Sequence, residues 1–265
     1  DMKLSTLSGG LKDNAIPTDA EAVVIFSDTD MSDINTPDHA DISSNSVHSS
    51  LQDLISKWNQ IIRHEYTHTD PDICITLEPV DLPAATMTDT STHTVIDVLM
   101  AYPNGVRKMS KDIAGLVQTS LNLGILSTIK PDDPSTNGMV SFKSSVRSSI
   151  GSEKAALLYS LKSLATLAGG TLTVTGDYPA WEYREDSPLR DLMVKIFKQQ
   201  YGKEPVIQAL HAGVECGIFA SKLPGLDCVS FGPDMDDIHT TNESMNVESV
   251  RRTWEYTLEI LKELK

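Results

Sequence analysis

The chain has 265 residues, 40% of them apolar, and a formal net charge of −15. That is enough apolar material for two domains or one large one, while so negative a field repels phosphate backbones and anionic lipid, so nucleic acid and membrane are excluded as expected partners. Cys74, Cys216 and Cys228 stand singly without C-x-x-C spacing, and no stretch reaches the ~18 apolar residues of a membrane span, which together predict a reduced, cytoplasmic protein.

The chain opens at Asp1 directly in a strand-like alternation and reads as a fragment, whereas the lysine-ended amphipathic stretch "TWEYTLEILKELK" reads as a natural C-terminus. Strands are predicted at residues 3–7 and 21–26, a helix at 47–66 and a strand at 73–77. Residues 27–46 are polar, acidic and poor in apolar side chains, as expected of an exposed loop. Within that loop Asp28, Asp30 and Asp33 have calcium-loop spacing, but the glycine and closing glutamate that such a loop needs are missing.

A helix at 92–101 comes next, followed by strands at 119–128 and 139–147. A helix at 153–168 is expected to take Ser152 as its N-cap and to stop at Gly169-Gly170, and a strand at 171–175 follows. Two strand-helix-strand units over one sheet predict an α+β, two-layer, ferredoxin-like sandwich over residues 1–177. Residues 178–265 alternate instead as helix 188–201, strand 206–210, helix 215–222, strand 227–231 and helix 247–264. That is α/β wiring, and two buried strands are too few for a parallel sheet, so this part reads as the tail of a larger one.

His64, Glu65 and His68 spell H-E-x-x-H, the zinc-protease signature. The apolar stripe of that helix (Leu51, Leu54, Ile55, Trp58, Ile61, Ile62) lies well away from both imidazoles, and Pro71 forces the helix to end here. A self-contained zinc protease built on these residues is therefore set aside in favour of a chance match at an exposed helix end.

The segment "LDCVSFGPDMDDIHTTNESMNVESV" is the stronger candidate. Ligands in open α/β sheets gather beyond the carboxyl ends of strands, where a loop places His239, and Glu243 is four residues on, at a distance suited to orienting it. On the residues alone His239 is either a ligand or a solvated loop side chain. In "LHAGVECGIF", Gly213 and Gly217 bracket a helix start where backbone amides attract a carboxylate; His211 and Glu215, four apart, read either as a metal pair or, in preference, as turn residues there.

Five blocks in register, "GGLKDNAIP", "AYPNGV", "HAGVECGIF", "DCVSFGP" and "NESMNVESV", resemble the C-terminal part of the aminoacyl-histidine dipeptidases, also called Xaa-His or cytosol non-specific dipeptidases, within the co-catalytic zinc exopeptidases. The resemblance runs from Asp1 to Lys265. It implies a lid at 1–177 that also mediates homodimerisation, followed by the C-terminal segment of an α/β catalytic domain at 178–265. It further implies that His239 is the last zinc ligand, that Asn14 reaches substrate from the lid, that Arg147 clamps the substrate's terminal carboxylate, and that Gly213 makes a backbone contact. These types suit the chemistry, since a guanidinium pairs two-pronged with a carboxylate and an amide donates to a developing oxyanion. Without the resemblance, Arg147 reads as an arginine at an exposed strand end.

The family's remaining ligands to its two zinc ions lie upstream of the lid and have no counterpart here. The expectation is thus a metallo-dipeptidase whose metal-activated water attacks the peptide carbonyl in the full-length parent, with this piece inactive alone. A non-catalytic dimerisation or binding module is the alternative. Where relatives carry "HSPDE" around the histidine this chain has "DDIHTTNE", and the added charge of Asp236 and Asp237 bears on substrate preference.

Overall fold

The computed structural model describes residues 2–26, 44–130, 137–208, 215–238 and 240–264, with side chains in the first of its helices described from Ser49 onward. In chain order the elements are β1 (Met2–Gly9), β2 (Ala20–Phe26), α1 (Ser44–Glu65), α2 (Asp89–Ala101), β3 (Gly105–Met109), β4 (Val117–Ile129) and β5 (Met139–Ser148). They continue as α3 (Gly151–Leu167), α4 (Pro188–Tyr201), α5 (Glu215–Lys222), β6 (Met235–Asp236), β7 (Ser244–Met245) and α6 (Val247–Glu263). One hydrogen-bonded path runs β2-β1-β4-β3, with β5 also paired to β4. The β1/β2, β1/β4 and β3/β4 ladders are all antiparallel. The chain forms two compact units, one of residues 1–101 and 123–143 and the other of residues 102–122 and 144–265, with β4 and β5 each contributing to both.

In the first unit, β1 and β2 pair from Met2↔Phe26 to Gly9↔Ala20, with a bulge between Leu4 and Thr6. Leu4 is buried, and its amide, instead of being stranded at the bulge, donates to the buried Thr92 hydroxyl of α2 at 3.2 Å. The loop joining the two strands lies directly on β4. At Gly10, whose φ is +72°, a Cβ would fall 1.9 Å from the Gly124 carbonyl oxygen, and at Gly124 a Cβ would meet the Lys12 and Asp13 oxygens at 2.4 Å. Only glycine at both positions permits that approach.

The second unit holds two apolar clusters. Leu157 and Leu161, one turn apart on α3, close over Leu121 of β4 with Tyr102 and Val146. Met193 and Ile196 of α4 pack on Tyr256 and Ile260 of α6, and the Tyr256 hydroxyl donates to the Met193 carbonyl at 2.7 Å. The α4 boundaries follow from its sequence: Ser187 caps it by accepting from the Arg190 amide, Pro188 occupies the first turn, and Gly202 closes it with φ +68°.

Most predicted helices form where expected, but four predicted strands do not form as described. Residues 73–77 join no ladder among the described residues, and side chains of α1 bond the backbone of Ile73 and Ile75 instead. The Asn59 side chain donates to the Ile75 carbonyl at 2.8 Å and accepts from the Ile75 amide at 2.7 Å, as a neighbouring strand would. Residues 227–231 are fixed by side chains. Val229 packs on the α4/α6 cluster and the Phe231 ring stands edge-on to Tyr256 at 5.5 Å. Residues 171–175 and 206–208 are exposed and have no ladder partner among the described residues; the last two residues of the predicted 206–210 strand lie outside them. Period-two alternation marks a segment able to enter a sheet, and the ladder needs a second strand.

Two further differences are local. Ile150, not Ser152, precedes the first turn of α3, and the Gly151 amide is taken up by the Glu182 carboxylate at 3.3 Å. The short exposed strand β3 went unpredicted, its five residues offering little alternation to detect.

Candidate active site

The segment carrying His239 is a small hairpin rather than an open loop after a strand. β6 and β7 pair through Met235↔Met245 and Asp236↔Ser244. Asp237 takes a left-handed φ of +52°, and its carbonyl accepts from both the Thr240 amide (3.1 Å) and hydroxyl (2.7 Å). The Thr240 hydroxyl in turn accepts from the Asn242 amide at 3.1 Å. The hairpin root is tied to α6: the Asn246 amide donates to the Asp234 carbonyl at 3.0 Å, and Asn246 caps α6 by accepting from the Ser249 amide at 2.9 Å. His239 itself lies outside the described residues, as do Gly213 and His211, so what the structure supplies is the anchored frame on either side of position 239. Glu243 is exposed on the returning limb.

Arg147 is the penultimate residue of β5, where the strand turns toward α3. It is half-buried, and among the described residues its guanidinium has no hydrogen-bond or ion-pair partner. A guanidinium partly withdrawn from water without a carboxylate has unused capacity for one. Asn14 is exposed in the β1–β2 loop that rests on Gly124. It belongs to the first unit, and Arg147 and Glu243 belong to the second.

Just beyond Arg147, a buried polar network sets the end of β5. The Thr119 and Ser148 hydroxyls share a hydrogen bond of 2.9 Å, and Thr119 donates to Glu153 at 2.5 Å. Glu153 also accepts from Gln118 at 2.8 Å and pairs with Lys108. Burial alone would raise the Glu153 carboxyl; the hydrogen bonds from Lys108, Thr119 and Gln118 and the lysine charge outweigh it and bring the pKa down to about 2. Sequence reasoning missed this residue, although an acidic side chain in a first helical turn is itself a recognisable signal.

Asp227 was missed as well. It accepts from the Ser187 hydroxyl at 2.6 Å and the Leu189 amide at 2.9 Å, so it caps α4 from forty residues away. Its burial raises the carboxyl, but those two hydrogen bonds and the charges of Arg184 and Arg190 hold it below the usual range. No sequence spacing announces such a contact.

The H-E-x-x-H residues do not share one helix. α1 ends at Glu65, His68 lies in the turn beyond, and both His64 and His68 are exposed. Among the described residues no three His, Cys, Asp or Glu side chains gather as a metal site, and no helix is long and apolar enough to cross a membrane. The Asp28, Asp30 and Asp33 loop lies outside the described residues.

Antiparallel strands covered by helices, a strand-end arginine and an anchored histidine hairpin are the features to set beside known proteins. The chain belongs to the peptidase family M20/M25/M40, whose model matches residues 10–263. It is 31% identical over 264 residues to the cytosol non-specific dipeptidase of Escherichia coli (strain K12), a match covering all of this chain and 50% of that relative. The crystal structure of aminoacylhistidine dipeptidase from Vibrio alginolyticus superposes with a TM-score of 0.84 at 29% identity, over 99% of this chain and 49% of that one. Aminopeptidase PepT from Bacillus cereus ATCC 10987 shares the fold more distantly, with a TM-score of 0.51 at 19% identity, over 64% of this chain and 44% of that one. The chain thus spans about half the length of the relatives it matches most fully.

Proposed function

We propose that this chain is the lid and C-terminal catalytic segment of a cytoplasmic zinc dipeptidase that hydrolyses Xaa-His and related dipeptides. The half-buried guanidinium of Arg147, without a partner among the described residues, carries the reading, because a dipeptide's terminal carboxylate is the ligand its planar donor fork suits. In this reading residues 1–177 are a ferredoxin-like lid through which the protein forms a homodimer, and residues 178–265 complete an α/β catalytic domain. Arg147 binds the carboxylate, Asn14 donates to the oxygen on which charge develops, and Gly213 offers substrate a backbone contact.

Zinc would supply polarisation of the scissile carbonyl and an activated water. The residues described here do not make a zinc site, since an open tetrahedral centre needs about three protein donors and no such cluster occurs among them. His239 is assigned as a single donor, with Glu243 placed to orient its ring. The remaining donors, on this reading, belong to the half of the relatives that this chain does not match, and the chain alone is inactive. Exposed apolar side chains support a covering partner segment: Val247, Val250, Trp254, Leu258 and Leu261 form one stripe on α6, and Leu172, Val174 and Ile207 add to the exposed apolar surface.

The test joins the unmatched half of the Escherichia coli relative to this chain. The chimera should hydrolyse dipeptides in a chelator-sensitive manner, and Arg147→Ala should raise KM at least tenfold with the circular dichroism spectrum unchanged. A folded, zinc-loaded chimera without turnover, or chelator-sensitive turnover by the isolated chain, would overturn the assignment. The first of these would favour a non-catalytic dimerisation or binding module.

A further inference from the structure

The chain doubles back immediately after α5. The Leu223 amide donates to the Phe219 carbonyl at 2.9 Å and the Leu226 amide to the Leu223 carbonyl at 3.0 Å, with Gly225 at φ +85° completing the reversal. From this turn back to Cys216 is roughly 10 Å of helix axis at ~1.5 Å per residue. Cys228 lies about 7 Å past Leu226 at ~3.3 Å per extended residue. The two limbs therefore bring the cysteines alongside each other, close enough for the Cys228 thiol to act on that of Cys216. Each is partly buried.

Both limbs are independently fixed. Gly217, next to Cys216, is backed so tightly by the Pro179 carbonyl that a Cβ would come within 2.8 Å of it. Beside Cys228, Asp227 is bound to Ser187 and Leu189, and Val229 enters the α4/α6 cluster. The proximity of the two cysteines is thus set by the packing of the second unit.

We propose that Cys216 and Cys228 are a reversible redox pair that closes to an intramolecular disulfide when exposed to a low-molecular-weight disulfide such as oxidised glutathione. One cysteine thiolate attacks a sulfur of glutathione disulfide, forming a mixed disulfide and releasing one glutathione thiolate. The second cysteine, on losing its proton, attacks the protein sulfur of that mixed disulfide and expels the second glutathione. The protein loses two protons and two electrons, and glutathione disulfide gains them as two thiols. In reducing surroundings the pair rests as the dithiol: burial, then the proximity of Cys228 and of Glu215, pushes the Cys216 thiol above its ordinary range. Closure staples α5 to the segment that leads into the His239 hairpin, a transient bond of the kind reducing compartments use for sensing.

The experiment treats the whole 265-residue chain with excess glutathione disulfide at pH 8, then digests it without reduction for mass spectrometry. The expected result is one cross-linked peptide pair containing Cys216 and Cys228, two hydrogens lighter and released by dithiothreitol, while exposed Cys74 carries a glutathione adduct. Glutathione adducts on both Cys216 and Cys228, or both still reduced after Cys74 has reacted, would overturn the proposal. The reaction is read on the unsubstituted chain, so the folding of a variant does not enter.

Discussion

The Asp234 amide donates to the buried Ser249 hydroxyl at 2.9 Å, which fastens the root of the His239 hairpin to the first turn of α6. That same hydroxyl donates to the Asn246 carbonyl at 2.6 Å, so one small side chain joins the hairpin, the cap and the helix. Ser249→Ala removes the partner of the Asp234 amide and is expected to cost about 0.5–1.5 kcal/mol. Urea denaturation checks the loss, and hydrogen exchange should show the Asp234 amide opening at least tenfold faster while amides in α3 are unchanged.

Gly124 holds the loop that carries Asn14. Because an added Cβ would sit 2.4 Å from two backbone oxygens, Gly124→Ala must displace either β4 or the loop. A loss of roughly 1–3 kcal/mol is expected, as for other overpacked positions, and is readable as a lower midpoint in thermal unfolding. Gly232→Ala is the comparison: neither glycine has a left-handed φ, and nothing lies within 4 Å of a carbon added at Gly232. Its smaller loss would isolate the steric part.

Acid should act on the second unit through Glu153. Its pKa is held at about 2 in the folded chain against an ordinary value of 4.5, so the folded state binds the proton less readily than the unfolded one. The stabilisation is therefore complete above about pH 4.5 and is lost as pH falls through about 2, with an upper magnitude of roughly 3 kcal/mol by linkage. Glu153→Gln should remove most of this contribution at neutral pH and flatten the stability profile across that window. Urea midpoints measured at several pH values would show it, and an unchanged slope would contradict the role given to the Thr119–Ser148–Glu153 network.

The helices were legible because each carries its own instructions. Ser187 and Pro188 begin α4 and Gly202 ends it, all within one local stretch. The strands were legible only where the chain supplies both partners, as in β1 with β2. At 73–77 the same alternation is answered by Asn59 and at 227–231 by Asp227 and Phe231, contacts made across long sequence separations that no local pattern encodes. Of the candidate site, Asn14 and Arg147 are named only through the family resemblance, and Glu243 through its spacing from His239. The β6–β7 frame around position 239 was not legible, since each strand is only two residues long.

The most direct test of the central claim compares the chimera with its His239→Ala variant in zinc content and dipeptide turnover. If position 239 donates to the metal, the substitution should lower bound zinc and cut turnover by at least roughly a hundredfold, the upper range for loss of even an outer-shell partner. Equal zinc and equal turnover in the two proteins would contradict the account.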